Sequence, residues 1–294
     1  MTETVGMIGL GNAGSSVASA LTRKVSVVGY DLDERRRAAS NELGITCLNS
    51  VEEVAESAKH VLLSLPKPEA SISVTEALVA SGHAPDLLIE TSTVTPATAQ
   101  ACAEICKAAG VAFVDAAIAG GVASMAAGKI TFFLGGSEAD KAKARPVLDL
   151  IAERIFDLGP VGAGMGTKVV NNGVMHALMV VLIEAFAMSN KLGVPAETMV
   201  EILNREEGLL RPLVHRVGER MRDGDYNAGM SVTNARKDSV LALETAQQLG
   251  VPLFATSASH TPYEIAESKG MGDMDYAALA KLWEEWTGVE FGSE

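Results

Sequence analysis

Two segments of this chain carry residue types that perform chemistry when they are brought together. Lys168 and Asn172 are four residues apart in GAGMGTKVVNN, a spacing that places both side chains on one face of a helix. Most lysines are solvated surface residues, but this helix becomes strongly apolar within two turns. Burial lowers the pKa of a lysine from about 10.4 towards neutrality, which suits a general acid and base. We therefore predict that Lys168 transfers a proton.

The other segment is GLGNAG, which begins at residue 9. It follows an apolar run and opens an Ala-rich helix, which is the context of a dinucleotide-binding fingerprint. Gly9 permits the tight turn, Gly11 lets the backbone approach a pyrophosphate, and Gly14 lets helix and strand pack closely. The pyrophosphate would lie on the free amides of the helix N-terminus. The predicted cofactor-binding residues of this segment are Gly9, Leu10, Gly11, Asn12, Ala13 and Gly14.

An acidic residue refines the choice of cofactor. Asp31 lies twenty residues after Gly11, at the end of the next apolar run. A carboxylate there accepts hydrogen bonds from the ribose hydroxyls and repels a 2′-phosphate. Three arginines, Arg35, Arg36 and Arg37, follow one turn later and would soften that preference. We predict NAD as the cofactor, with NADP as a second candidate.

The elements that must position these residues follow from the hydrophobic pattern. Short apolar runs alternate with helical patterns in the first half, which is typical of βαβ units, and helical spacing continues from about Gly164 to the end. We predict an α/β fold, with a Rossmann-type, doubly wound, mostly parallel sheet over residues 1–162. An all-α domain is predicted over residues 163–294, starting with a helix to Lys191. The predicted strands are Val5–Leu10, Val25–Tyr30, Val61–Leu65, Leu87–Glu90, Ala112–Val114, Thr131–Leu134 and Arg154–Leu158.

Composition and charge narrow the class of protein. The formal net charge of −13 over 294 residues argues against a nucleic-acid partner. Three cysteines are too few and too scattered for a disulfide framework, and Cys102 and Cys106, four residues apart on a predicted helix, indicate helix packing. Five histidines without ligand spacing indicate no metal site. The first residues lack the regions of a signal peptide. The apolar stretch Val174–Met188 is interrupted by His176 and Glu184 and is too short to span a bilayer. We expect a cytoplasmic protein without a membrane partner.

Several motifs, in this order and spacing, resemble the β-hydroxyacid dehydrogenase family, typified by 3-hydroxyisobutyrate dehydrogenase and tartronate semialdehyde reductase. The resemblance covers nearly the whole chain, and the helical half resembles the C-terminal domain of 6-phosphogluconate dehydrogenase. The motifs are GLGNAGSSVASAL near the N-terminus, LSLPKP at residues 63–68, ETSTVTP at 90–96, DAAIAGGV at 115–122, KVVNN at 168–172 and RKD at 236–238. Together they are far more specific than any one of them.

The resemblance implies a role for each segment. Lys168 would exchange a proton with the substrate hydroxyl during hydride transfer, Asn172 would orient the hydroxyl or carboxylate, and the amides of Gly120 and Gly121 would hold the carboxylate. Consecutive amides in a glycine turn also suit an anion on physical grounds. A homodimer or homotetramer through the helical half is implied too. The remaining implied positions are Ala119, Asn171 and Lys237 for the substrate, and Leu65, Pro66, Thr93 and Lys237 for the cofactor.

The resemblance implies that the substrate is a small β-hydroxy acid or its semialdehyde. Departures from the family pattern leave the identity of that substrate open. Ala119 stands where the family commonly has Ser, and loss of that hydroxyl would cost about 1 to 3 kcal/mol at a desolvated site. Met175 stands where a decarboxylating relative has an acid, so we predict no decarboxylation. One alternative is a reductase of another carbonyl or imine, against which the retained Lys168 counts. The other is a dinucleotide-binding protein without turnover, which only Ala119 supports.

Overall fold

The computed structural model describes residues 4–206, 208–227 and 229–292. The chain divides into two compact units, Met1–Gly173 and Val174–Glu294. One long helix contributes residues to both units, so the domain boundary after residue 162 stays a prediction.

The first unit is built on a single sheet. Among the described residues its strands are β1 Thr4–Ile8, β2 Ser26–Tyr30, β3 Thr46–Cys47, β4 His60–Leu63, β5 Leu87–Glu90, β6 Ala112–Ala119, β7 Ile130–Gly136 and β8 Ala152–Asp157. They are arranged in the order β3-β2-β1-β4-β5-β6-β7-β8. Strands β6 and β7 pair antiparallel, and the other neighbouring pairs are parallel. The predicted α/β class with a mostly parallel, Rossmann-type sheet is confirmed.

Helices connect the strands and cover both faces of the sheet. They are α1 Asn12–Thr22, α2 Glu34–Glu42, α3 Val51–Ser57, α4 Pro68–Ala80, α5 Pro96–Ala108, α6 Val122–Ala126 and α7 Glu138–Leu148. Alternate residues of a strand point to opposite faces, so Leu87 and Ile89 pack into one core cluster and Leu88 into the other. Cys102 and Cys106 are buried in α5 as free thiols, and burial raises the pKa of Cys106 to about 12. The prediction that these cysteines serve helix packing is confirmed.

Two strands differ from the prediction. β3 has only two residues, too few for any periodicity to reveal it. β6 continues five residues beyond the predicted end at Val114, through the buried carboxylate of Asp115. The predicted ends of the other strands agree with the structure to within two residues.

The second half of the chain is helical, as predicted. Its elements are α8 Ala163–Lys191, α9 Ala196–Asn204, a π-helical segment Pro212–Met221, α10 Val232–Leu249, α11 Phe254–Ser268, a 3₁₀ turn Tyr276–Leu279 and α12 Ala280–Thr287. The expected helix from Gly164 to Lys191 is confirmed within one residue. Both LGVP motifs follow helix ends, where Gly193 and Gly250 have φ values of +79° and +67°.

Helix α8 is long and apolar enough to cross a membrane by length and composition, and only 6% of its most apolar window is buried. The predicted stretch Val174–Met188 is thus part of a longer apolar helix. The acid within it, Glu184, is buried and accepts hydrogen bonds from the first amides of α11, at 2.5 Å from Phe254 and 2.8 Å from Ala255. The carboxylate therefore caps α11, and the apolar face of α8 stays exposed.

Candidate active site

A cavity of about 550 Å³ lies where β1, β2 and β4 end. Ligands of parallel α/β sheets bind at this carboxyl edge. The cavity is lined by seven of the predicted cofactor-binding residues: Gly9, Gly11, Asn12, Ala13, Asp31, Leu65 and Pro66. The other predicted cofactor positions, Leu10, Gly14, Thr93 and Lys237, are outside its lining.

The three fingerprint glycines differ in their surroundings. A Cβ at Gly9, where φ is +92°, would lie 2.2 Å from the Ser64 carbonyl oxygen, and a Cβ at Gly14 would lie 1.9 Å from the Gly9 carbonyl oxygen. At Gly11 the nearest atom would be Nη1 of Arg36 at 4.0 Å. Gly9 and Gly14 therefore allow close packing, whereas Gly11 faces open space beside the free first-turn amides of α1. This cradle fits the pyrophosphate of a dinucleotide.

Asp31 lies beside the glycine turn and contacts it through a hydrogen bond. Its Oδ2 accepts a hydrogen bond from the amide of Leu10 at 2.8 Å, and its Oδ1 accepts one from the amide of Asp33 at 2.9 Å. Leu10 thus acts by orienting Asp31. Nη1 of Arg36 lies 3.5 Å from Oδ2, so a cation also stands at this edge.

Sequence reasoning missed part of the cavity wall. Leu32 and Lys67 line it without having been predicted. Both follow a strand end in the sequence, and Lys67 directly precedes α4, so their position after β2 and β4 was the available signal.

The loop that carries Thr93 is tied to the cavity through buried polar groups. The amide of Ser92 donates to Oε1 of Glu90 at 2.8 Å, and Oγ of Ser92 accepts from the amide of Leu65 at 2.7 Å. Burial raises the pKa of Glu90, against the opposing effect of hydrogen bonds from Ser92 and Ser71. Thr93 itself is exposed at the end of this network.

Lys168 lies in the second turn of α8 and is half-buried. It has no hydrogen-bond or ion-pair partner in the described part of the chain. Burial lowers the pKa of its ammonium group, in the direction that the sequence argument predicts. On the next turn, Nδ2 of Asn171 lies 3.4 Å from Oδ1 of Asn172. The amine and the two amides therefore form one polar patch at the start of an otherwise apolar helix.

The remaining predicted substrate residues lie in two places. Ala119 ends β6, and Gly120, with φ of +136°, leads through Gly121 into α6. Lys237 belongs to the second unit, where its ammonium is 3.1 Å from Oδ1 of Asp238 on α10. Its role at the site stays a prediction.

The parallel sheet, the glycine cradle at its carboxyl edge and the acidic residue after β2 define a Rossmann-type dinucleotide-binding protein. Residues 4–180 match the NAD-binding domain of 6-phosphogluconate dehydrogenase, and residues 162–283 match the NAD-binding domain of NADP-dependent 3-hydroxyisobutyrate dehydrogenase. The chain belongs to the β-hydroxyacid dehydrogenase family, as the motifs indicated. It is an oxidoreductase that uses a nicotinamide dinucleotide.

Three relatives illustrate the match. The 2-(hydroxymethyl)glutarate dehydrogenase of Eubacterium barkeri is 31% identical, over 97% of this chain and 96% of the relative. The structure of Mycobacterium tuberculosis 3-hydroxyisobutyrate dehydrogenase with L-serine is 26% identical, with a TM-score of 0.66 over 96% of this chain and 99% of that chain. An imine reductase from Pseudomonas sp. superposes with a TM-score of 0.88 over 96% of this chain and 100% of that one, at 18% identity. This last likeness shows the fold alone.

Proposed function

We propose that this protein is a dehydrogenase of a small β-hydroxy acid, or a reductase of the matching semialdehyde, with Lys168 as its general acid and base. One observation carries the proposal. The Lys168 amine is half-buried, has no partner in the described part of the chain, and has its pKa lowered by burial. An amine that titrates closer to neutrality accepts and returns a proton readily.

Each residue of the proposed site has a separate role in the reaction. A bound nicotinamide would accept the hydride in the oxidation and supply it in the reduction. Neutral Lys168 takes the proton from the substrate hydroxyl, and the ammonium returns it in the reverse direction. Asn172, one helical turn away, holds the hydroxyl by a hydrogen bond. The amides of Gly120 and Gly121 bind the carboxylate, while Asn171, Ala119 and Lys237 keep the substrate contacts that the family resemblance implies.

The charges at the cavity edge favour NAD over NADP. Asp31 and Asp33 both line the cavity, and two carboxylates there would repel a 2′-phosphate. Arg36 partly offsets them, since its guanidinium is 3.5 Å from Asp31 and 3.9 Å from Asp33. We infer that NAD is preferred and that NADP is used less well.

The substrate class follows from the relatives and from two residues of this chain. The names 2-(hydroxymethyl)glutarate and L-serine both describe a hydroxymethyl group bonded directly to the carbon that bears a carboxylate. We propose a substrate with this hydroxymethyl-carboxylate arrangement. Met175 has no ionisable group, which supports a reaction without decarboxylation. Ala119 supports a substrate that does not depend on a serine hydroxyl.

We propose that the protein is a soluble, cytoplasmic homodimer whose helical half, residues 163–294, forms the interface. The face of α8 is apolar and open to solvent at Met179 and Ile183, each 56% exposed. Such a continuous apolar surface marks an interaction site in soluble proteins. A second copy that covers it would explain a helix with membrane-like hydropathy in a dehydrogenase. Trp283 and Trp286, packed edge to face at 5.2 Å and half-exposed, add further apolar surface to the helical half.

Turnover of a substrate panel tests the proposal. Purified protein is mixed with NAD+ or NADP+ and with 3-hydroxy acids, hydroxymethyl acids or sugar acids, and absorbance of the reduced cofactor is followed. Cyclic imines with NADPH form a separate arm. Lys168→Ala is compared with Lys191→Ala, a control at the far end of the same helix. We expect kcat to fall about 10²- to 10⁴-fold in Lys168→Ala, as for loss of a general base, and to be unchanged in the control.

Two results would contradict the proposal. Undiminished turnover by Lys168→Ala would remove the lysine from the chemistry. Reduction of imines without any oxidation of hydroxy acids would assign the reaction to the alternative class.

A further inference from the structure

The carboxylate of Asp115 is fully buried in the middle of β6, on the strand that leads to Ala119, Gly120 and Gly121. A buried carboxylate is costly unless its oxygens are hydrogen-bonded. Oδ1 of Asp115 accepts from the amide of Gly162 at 2.9 Å, and Oδ2 accepts from the amide of Met165 at 2.8 Å. Both oxygens are thus engaged by a segment about 50 residues further along the chain.

These two amides stand at the start of α8. The first amides of a helix have no partner within the helix, and Gly162 has no side chain that could cap them. Asp115 therefore supplies the cap of α8 from a neighbouring strand, and its negative charge lies at the positive end of the helix dipole. Burial raises the pKa of Asp115, while the hydrogen bonds from Gly162, Met165 and Gly164 oppose the rise.

Two glycines make room for this contact. A Cβ at Gly135 would lie 2.5 Å from Oδ1 of Asp115, and a Cβ at Gly164 would lie 2.9 Å from Oδ2. Real Cβ atoms do not approach other atoms this closely. There is therefore no free space between the Asp115 carboxylate, the backbone of β7 at Gly135 and the first turn of α8.

Lys168 follows Met165 by three residues, which is less than one helical turn. We propose that Asp115 is a positioning residue for the reaction, because its carboxylate fixes the turn of α8 that presents Lys168 and joins it to the strand that carries the Gly120–Gly121 loop. The inference rests on the proposed role of Lys168. It assigns to Asp115 no contact with substrate or cofactor.

Asp115→Asn tests this role with almost no change of shape. An asparagine keeps one oxygen but turns its NH₂ group towards a backbone amide, so one of the two hydrogen bonds is lost. We expect kcat to fall about 10- to 100-fold, the size expected for a displaced reacting group. The Kd for NADH should stay within about twofold, because Asp115 does not line the cofactor cavity. Asp149→Asn, at the exposed end of α7, is the matched control and should leave both values unchanged.

A second readout is independent of turnover. Lys168 is labelled with acetic anhydride across a range of pH, and its modification is measured by peptide mass spectrometry relative to exposed Lys129. In the wild type, Lys168 should reach half-maximal reactivity at a lower pH than Lys129. In Asp115→Asn, the midpoint of Lys168 should move towards that of Lys129, because a loosened turn admits water. If Asp115→Asn does not fold, Asp115→Ser, which keeps one small acceptor, replaces it.

The outcomes separate the two proposals. If no substrate is turned over by the wild type, the proposed function fails, and the labelling midpoint still decides whether Asp115 holds the turn of α8 that carries Lys168. A wild-type kcat and a wild-type Lys168 midpoint in Asp115→Asn would overturn the positioning role. The positioning role would also be overturned if kcat falls only in proportion to the fraction of protein that still binds NADH, while the Lys168 labelling midpoint stays at its wild-type pH.

Discussion

A methyl group added at Gly14 should destabilise the fold, whereas the same addition at Gly11 should weaken only cofactor binding. The Cβ of Gly14→Ala would lie 1.9 Å from the Gly9 carbonyl oxygen, so β1 and α1 must separate by about 1 Å to reach a contact of 3.0 Å. The carbonyl oxygen of Gly9 is a backbone atom, and the position of the new Cβ is set by the backbone of residue 14, so neither atom can rotate away. Overpacking of this kind costs about 3 kcal/mol, and the better helix propensity of Ala recovers about 1 kcal/mol. We expect a net loss of about 2 kcal/mol in the free energy of unfolding.

Gly11→Ala provides the matched comparison. Gly11 has φ of −66° and ψ of −174°, which alanine adopts freely, and the nearest atom to a new Cβ is 4.0 Å away. Alanine is a poorer N-cap than glycine, but it lowers the entropy of the unfolded chain by about 0.4 to 1 kcal/mol, so the free energy of unfolding should change by no more than about 0.5 kcal/mol. The new methyl group would occupy the space through which a pyrophosphate approaches the backbone. The Kd for NADH should rise at least about tenfold, or about 1.4 kcal/mol.

Urea unfolding followed by circular dichroism gives the first quantity, and quenching or enhancement of NADH fluorescence gives the second. A urea midpoint of Gly14→Ala equal to that of the wild type, or an equal loss of stability in Gly11→Ala and Gly14→Ala, would refute the difference between the two positions.

Three further predictions concern the cofactor edge, the helical unit and the assembly. Asp31→Asn should raise the ratio of kcat/KM for NADP+ to that for NAD+ at least about tenfold, since one carboxylate no longer repels a 2′-phosphate; an unchanged ratio in initial-rate assays would show that Asp31 does not select the cofactor. Burial would raise the pKa of Glu184, but hydrogen bonds from Ala255, Thr256 and Phe254 outweigh it and lower that pKa. Glu184→Gln should therefore lower the free energy of unfolding by about 1.5 to 3 kcal/mol at neutral pH. This difference from wild type should shrink as the pH falls below about 4.3 and through the lowered pKa of Glu184, because the wild-type carboxylate is then protonated. A difference in urea unfolding that does not depend on pH would contradict this account. Met179→Glu should convert a dimer into monomers in size-exclusion chromatography with light scattering, whereas Leu43→Glu, on the exposed surface of the first unit, should leave the dimer intact; equal behaviour of the two variants would argue against the α8 interface.

The class of fold and the glycine turn beside the cavity could be predicted from the sequence, because both depend on short-range physical rules. The spacing of Gly9, Gly11 and Gly14 between an apolar strand and a helix specifies a tight turn, and the structure has that turn at the cavity. Gly9 requires glycine because its φ is +92°, and Gly14 requires it because the backbone of Gly9 approaches closely. Hydrophobic periodicity likewise predicted α8 to within one residue. The chemistry of Lys168 was inferred from the apolar pattern of its own helix.

The contacts between segments that are distant in the sequence could not be predicted, because they depend on the tertiary structure. The predicted strand ended at Val114, but β6 continues through Asp115 because the amides of Gly162 and Met165 satisfy its buried carboxylate. Glu184 looked like an interruption of an apolar stretch, but it caps α11 about 70 residues away. Local propensity and periodicity describe only neighbours along the chain. Which orphan amide meets which carboxylate depends on strand order and helix packing, and these exist only when the chain has folded.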